Sequence, residues 1–92
     1  MLLFIRQKYV DQIRSGKKTW EIRAGKRYRN IRPGTVLSLN GRERVTVTAT
    51  EQADAESLAS RGLISSASEL REMYPNDSLF YVFHFGALQS AK

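Results

Sequence analysis

Residues 36–50, VLSLNGRERVTVTAT, contain the strongest fold signal in this 92-residue chain. Asn40 and Gly41 suit the two central positions of a type I′ β-turn, where both residues need a positive φ angle. The sequence before this dipeptide is mostly apolar, and after it valine and alanine alternate with threonine, as on the two faces of a strand. The stretch therefore predicts an antiparallel hairpin with strands over 36–39 and 42–50.

The sequence on either side of this hairpin predicts an α+β fold. We expect, in chain order, a strand over 2–5, a helix over 7–15, a strand over 18–23, the hairpin, two short helices between 54 and 74, and a strand over 79–85. Gly16 follows the first helix where a C-cap needs positive φ, and Asp54 and Ser66 are suitable N-caps for the later helices. The last strand is almost continuously aromatic and β-branched, which indicates burial on both faces. This order predicts a small mixed sheet with short helices.

Positive charge is concentrated in the first half of the chain. The whole sequence has 15 Lys and Arg and 9 Asp and Glu, for a net charge of +6. Residues 1–50 have a net charge of +9, whereas residues 51–92 have a net charge of −3. Such an imbalance indicates a polyanionic partner and says nothing about the fold.

Length and residue types exclude several classes of protein. The chain is long enough for one domain, which we expect over residues 1–86, and the tail over 87–92 is expected to fray. There is no cysteine, so disulfides, thiolate metal sites and zinc deaminase chemistry are excluded. His84 is the only histidine and lies in an aromatic strand, where we expect a structural role. We expect a cytoplasmic protein with no metal, no cofactor and no membrane segment.

A basic segment extends from residue 14 to residue 32. Its eight basic residues are Arg14, Lys17, Lys18, Arg23, Lys26, Arg27, Arg29 and Arg32. Trp20 and Tyr28 lie between them, so the composition fits a groove that follows a phosphate backbone and stacks bases on exposed aromatic rings. The alternative interpretation is a solvated basic face whose aromatic residues belong to the core.

Glu21 is the only acidic residue of the basic segment, so a polyanion would repel it unless it is neutralised or used. In a functional interpretation its carboxylate lies in a cleft among cationic neighbours, where it or a nearby lysine does acid–base chemistry. In a structural interpretation it forms an ion pair with Arg23 or Arg29 that orients the strand. The role of Tyr9 also has two interpretations, since its side chain can pack in the core or bring its hydroxyl to the rim of a cleft.

Residues 16–23, GKKTWEIR, resemble the G-x-K-x-x-E-x-R signature of the ASCH domain, a family similar in fold to the RNA-binding PUA domains. The preceding helix, the hairpin and the final aromatic strand agree with that family, so the resemblance covers about residues 2–86. It implies a small PUA-like mixed β-barrel flanked by short helices. It also implies a role in RNA binding and a cleft lined by Lys18, Glu21 and Arg23.

The resemblance also implies two enzymatic activities. Some small ASCH proteins are N4-acetylcytidine amidohydrolases, and the YP…FYVFHF sequence near the end of this chain is similar to theirs. By this resemblance Lys18 is the catalytic lysine, Glu21 and Thr19 are further candidates, and Glu56 or Glu69 replaces the family's glutamate. Other members are ribonucleases that use the motif lysine with a tyrosine and a serine, and only Lys18 clearly matches them.

The sequence therefore supports two main hypotheses. In the first, the chain is an RNA-binding module, in which Trp20 or Tyr28 stacks a base if its ring is exposed. The residues expected to bind nucleic acid are Lys17, Lys18, Trp20, Arg23, Lys26, Arg27, Tyr28, Arg29 and Arg32. In the second, the chain is a small hydrolase that acts on a modified nucleoside. A purely structural or partner-binding role ranks third.

Overall fold

The computed structural model describes residues 1–86 and the backbone of residues 89–90. The strands are β1 (Leu2–Leu3), β2 (Trp20–Arg23), β3 (Val36–Leu39), β4 (Glu43–Ala53), β5 (Phe80–Phe85) and β6 (Gln89–Ser90). The helices are α1 (Gln7–Arg14), α2 (Ala55–Ser60) and α3 (Ala67–Met73), and Lys26–Tyr28 form a 3₁₀ turn. The expected elements are thus present in the expected order, and the prediction of a small α+β fold with a mixed sheet is confirmed.

The strands belong to one sheet in the order β1-β3-β4-β5-β2, and β6 pairs with β4. β1 runs parallel to β3, whereas β3 and β4 are antiparallel. The short strand β6 lies in the tail that was expected to fray, and it pairs in antiparallel register with Glu43 and Arg44. The rest of that tail, residues 87, 88, 91 and 92, lies outside the described residues.

The hairpin between β3 and β4 forms as its sequence predicts. Asn40 and Gly41 have φ angles of 56° and 75°, and Arg42 N–H donates to the Leu39 carbonyl at 3.0 Å. The register pairs Leu39 with Glu43 and continues to Val36 opposite Thr46. β4 extends beyond the predicted end at residue 50 to residue 53. The turn therefore sets the register of the strands that carry the buried valines and leucines.

The contacts of the chain divide it into two compact units, of which the first contains Met1–Glu21, Ile31–Thr50 and the described residues from Phe83 onward. Its buried side chains include Leu3, Val10, Ile13, Ile31, Leu37, Leu39, Val45, Val47, Phe83 and Phe85. Val10 and Ile13 lie three residues apart, so they define the inward face of α1. The side-chain amide of Asn40 accepts from Ile5 N–H at 2.9 Å and donates to the Ile5 carbonyl at 2.8 Å, which ties the hairpin turn to the residues after β1.

The second unit contains Ile22–Asn30 and Glu51–Val82. Its buried side chains include Tyr28, Ala53, Ala55, Leu58, Leu70, Phe80 and Val82. Both short helices have the predicted N-caps, since Asp54 accepts from Ser57 N–H at 2.8 Å and Ser66 accepts from Glu69 N–H at 3.4 Å. Because helices this short are marginal alone, the caps and the buried apolar faces together stabilise them.

Candidate functional site around Lys18

A helix C-cap positions the backbone of Lys18. Gly16 follows α1 with a φ angle of +82° and donates its N–H to the Ile13 carbonyl at 3.1 Å. Lys17 N–H donates to the Gln12 carbonyl at 2.9 Å, and Lys18 N–H reaches the same carbonyl at 3.1 Å. The first two bonds form a Schellman motif, which needs a left-handed residue at the position of Gly16. The glycine of the sequence motif thus turns the chain out of α1 directly into the motif lysine.

Thr19 connects this turn to β2. Its carbonyl accepts from Phe85 N–H at 3.0 Å, so the segment after the turn is fixed by the last residue of β5. The Thr19 side chain is exposed, whereas those of Lys18 and Glu21 are largely buried. Of the three catalytic candidates, the structure therefore brings Lys18 and Glu21 together and directs the Thr19 hydroxyl to solvent.

The Lys18 ammonium lies in an environment made of two aromatic rings and one carboxylate. Its Nζ atom is 5.0 Å from the ring centroid of Tyr9 and 4.9 Å from that of Trp20. Glu21 Oε1 is 3.8 Å from the same nitrogen, and the two side chains are only 13% and 12% exposed. Ring faces and a carboxylate all attract a cation, so the lysine head group is held on more than one side.

Lys18 is nevertheless not completely buried, because 13% of its side chain is exposed. Within the described residues its ammonium makes no hydrogen bond, because the contact with Glu21 exceeds hydrogen-bonding distance. The buried, unpartnered side-chain nitrogens and oxygens of that part of the chain are Trp20 Nε1 and Glu43 Oε2. Among the described residues Lys18 Nζ thus has no hydrogen-bond partner, and the exposed part of its side chain leaves access from outside.

The rest of the basic segment is mostly exposed. Five exposed cations form no ion pair with any carboxylate among the described residues, namely Lys17, Lys26, Arg27, Arg29 and Arg32. Arg14 differs from them because it binds Glu43 and Asp11. The hydrogen bond that the Arg14 guanidinium donates to the Glu43 carboxylate raises the pKa of Arg14 above its ordinary value. Arg23 is half-buried in β2.

The two aromatic residues of the basic segment have different environments. Tyr28 is only 8% exposed, and the Arg27 guanidinium lies 5.1 Å from its ring centroid. Base stacking requires an exposed ring, and the Tyr28 ring is therefore too buried to stack a base. Trp20 is half-buried, and its ring contacts the Lys18 ammonium. Trp20 therefore belongs to the surroundings of the lysine.

The structure also shows the surroundings of Tyr9 and His84. Tyr9 contributes its ring to the surroundings of Lys18. This differs from both expected roles, which were packing in the core and placing the hydroxyl at the rim of a cleft. The only sequence signal of Tyr9 was a position on the α1 face next to Val10. His84 is half-buried, and its backbone carbonyl accepts from the Thr48 hydroxyl at 3.2 Å.

The substitute glutamates lie in the second unit. Glu56 is exposed on α2 and forms an ion pair with Arg71, and Glu69 is exposed on α3, where its backbone N–H takes part in the N-cap. In the part of the chain that the structure describes, no cluster of three or more potential metal ligands occurs. None of the helices described there has the length and hydrophobicity needed to cross a bilayer.

A family model described as the ASCH domain matches residues 3–84 of the chain. A crystal structure of a tyrosine-to-phenylalanine mutant of the ASCH protein from Zymomonas mobilis is similar, with a TM-score of 0.75, 17% identity, and coverage of 99% of this chain and 71% of that one. The crystal structure of hypothetical protein PH0355 has a TM-score of 0.74, 19% identity, and coverage of 91% and 94%.

The solution NMR structure of protein PF0455 from Pyrococcus furiosus is also similar, with a TM-score of 0.66, 22% identity, and coverage of 91% of this chain and 93% of that one. At these identities the likeness shows the fold alone. A search of the curated proteins found no significant match.

Proposed function

Because the chain belongs to the ASCH domain family, we propose that it binds RNA through Lys18 and the exposed cations of the basic segment. The environment of Lys18 is the observation that supports this proposal most strongly. Its ammonium is held by Tyr9, Trp20 and Glu21 and makes no hydrogen bond within the described residues, and 13% of the side chain is exposed. Such an ammonium can still donate hydrogen bonds to a ligand, and RNA offers phosphate and base carbonyl oxygens.

In this proposal the exposed cations and the Lys18–Glu21 pair have different roles in binding. The exposed basic side chains contact phosphates, which supply affinity without reading the base. Lys18 donates to one acceptor oxygen of the ligand, and Glu21 accepts from a donor such as an exocyclic amine. Because both side chains are largely buried, their bonds to a ligand are less screened by salt than those of the exposed cations.

Two neighbouring lysines make a matched test of the proposal. Lys17→Met removes an exposed cation, and Lys18→Met removes the cation held by the aromatic rings while keeping an unbranched side chain. Binding of a fluorescein-labelled single-stranded RNA is measured by anisotropy at about 50 and 200 mM salt. We expect the salt slope to fall by about one unit for Lys17→Met, since one phosphate contact is lost. For Lys18→Met we expect a loss of affinity of about 5- to 150-fold, the range for a specific contact of about 1–3 kcal/mol.

The results that contradict RNA binding are defined by the same measurements. Unchanged affinity between the two salt concentrations would contradict it, because phosphate contacts release counterions. Equal effects of the two substitutions would show that Lys18 is one cation among many. Urea unfolding of each variant serves as the control that the fold is retained.

The Lys18–Glu21 pair also supports hydrolysis of the amide in N4-acetylcytidine as a second candidate function. A proton donor and a proton acceptor 3.8 Å apart in a largely buried site are the groups that general acid–base catalysis needs. Water would attack the acetyl carbonyl carbon, the C–N bond would break, the nitrogen would take up a proton and leave as the amine of cytidine, and the acyl group would leave as acetate. The ultraviolet shift from N4-acetylcytidine to cytidine measures this reaction. Equal rates for the unmodified protein, Lys18→Ala and buffer would exclude it.

A further inference from the structure

We infer that Tyr9 and Trp20 are positioning residues that hold the Lys18 ammonium in place for its ligand. This inference rests on the proposed binding function, in which the ammonium contacts the ligand. The two rings come from separate elements, Tyr9 from α1 and Trp20 from β2. Their ring centroids lie 5.0 and 4.9 Å from Lys18 Nζ, which is within the range of a cation–π interaction.

The arrangement is more specific than a lysine that merely lies on a hydrophobic surface. Lys8 Nζ also lies 5.0 Å from the Tyr9 ring, yet Lys8 is exposed and no second ring contacts it. Lys18 is enclosed by two rings and by Glu21, and only 13% of its side chain is exposed. Lys8 is therefore an internal reference for a lysine on one ring, and Lys18 is the lysine held between two rings.

Holding the ammonium in place matters because a lysine side chain is flexible. It has four rotatable bonds, and fixing them costs conformational entropy. When contacts within the free protein have already restricted those bonds, less is lost on binding the ligand. The rings do this without taking up the N–H donors in hydrogen bonds, whereas several carboxylates around the ammonium would occupy them. Two rings and one carboxylate thus position the lysine and leave donors for an acceptor.

Ring contacts with Lys18 can be measured without any ligand. Protons on the ε-carbon of Lys18 lie close to two ring faces, so we expect their NMR resonance to be shifted upfield from that of an exposed lysine. Tyr9→Phe keeps a ring at that position, and Tyr9→Leu removes it while keeping an apolar side chain. We expect the shift to persist in Tyr9→Phe and to decrease in Tyr9→Leu. An unchanged Lys18 resonance in Tyr9→Leu would overturn the inference.

A double-mutant cycle tests whether the ring acts through the lysine. We expect Tyr9→Leu to weaken RNA binding about five- to tenfold, and to have no further effect in a Lys18→Met background. The same loss in both backgrounds would show that Tyr9 acts independently of Lys18. If the unmodified protein binds no RNA, the proposed function fails, and the NMR comparison still decides whether the rings hold the lysine.

Trp20 can be tested without removing its side chain, because it is the only tryptophan of the chain. Fluorinated tryptophan incorporated biosynthetically changes the negative charge of this ring face and alters no other tryptophan. Since the cation–π attraction depends on that charge, we expect the upfield shift of Lys18 and the RNA affinity to decrease together as the number of fluorine atoms rises. An RNA affinity that stays constant across the series would show that Trp20 does not position Lys18.

Discussion

Replacing Gly16 by alanine is expected to destabilise the protein through backbone strain alone. Gly16 has a φ angle of +82°, and a Cβ atom built on it has no other atom within 4 Å. A side chain would therefore meet open space, and the cost comes from the left-handed conformation, which for an L-residue is about 1–2 kcal/mol. Alanine also reduces the freedom of the unfolded chain, which returns about 0.4–1 kcal/mol. The net loss should be about 0.5–1 kcal/mol.

Gly86→Ala is the matched control for this prediction. Apart from its chain neighbours, a Cβ atom at Gly86 also has no atom of the described residues within 4 Å, but the φ angle there does not fall in the left-handed range. Because both substitutions change the unfolded chain in the same way, the difference between the two variants isolates the left-handed strain of Gly16. We expect that difference to be about 1–2 kcal/mol.

Urea unfolding followed by circular dichroism measures both variants. With a slope of about 1–1.5 kcal/mol/M for a chain of this size, a difference of that magnitude separates their midpoints by about 1 M. If Gly16→Ala unfolds at the same urea concentration as Gly86→Ala, the C-cap is not the reason for the glycine of the motif. Gly16→Asn adds a second check, because asparagine tolerates the left-handed conformation and should be less destabilising than alanine.

Three further predictions concern stability and are measured by the same unfolding assay. Asn40→Gly keeps the turn conformation but removes both bonds to Ile5, so we expect a loss of about 1–3 kcal/mol, and full stability would contradict a role for the side-chain amide. Asp54→Ala should cost about 1 kcal/mol and Asp54→Asn much less, whereas equal effects would argue against an N-cap. Leu37→Ala should cost about 2–5 kcal/mol because Leu37 is fully buried, while exposed Val36→Ala should cost under about 0.5 kcal/mol.

Local sequence signals predicted most of the secondary structure because each depends on one or two residues. The Asn40-Gly41 turn, the C-cap at Gly16 and the N-cap at Asp54 all formed where these residue types occur. Strand ends were less predictable, since they depend on pairing partners far away in the sequence. Both the extension of β4 to residue 53 and the pairing of β6 with β4 are of this kind.

The candidate site was predictable only in part. The spacing of the motif identified Lys18 and Glu21, and the structure brings them within 3.8 Å. The contribution of Tyr9 could not be read from spacing, because it lies nine residues before Lys18 and reaches it only after the chain has turned at Gly16. The burial of Tyr28 could not be predicted from the sequence either, since a tyrosine in a basic segment can face either the core or the solvent.

The sequence by itself determined the order of the helices and strands, the hairpin register and the presence of a lysine and a glutamate at motif spacing. These features follow from backbone preferences and from side-chain periodicity, which act between neighbours in the chain. Only the tertiary structure decided what surrounds the lysine: two rings and one carboxylate, with 13% of its side chain exposed. That arrangement depends on the packing of α1 with the first two residues of β2, which belong to the same unit, and packing joins residues whose separation along the chain carries no local signal.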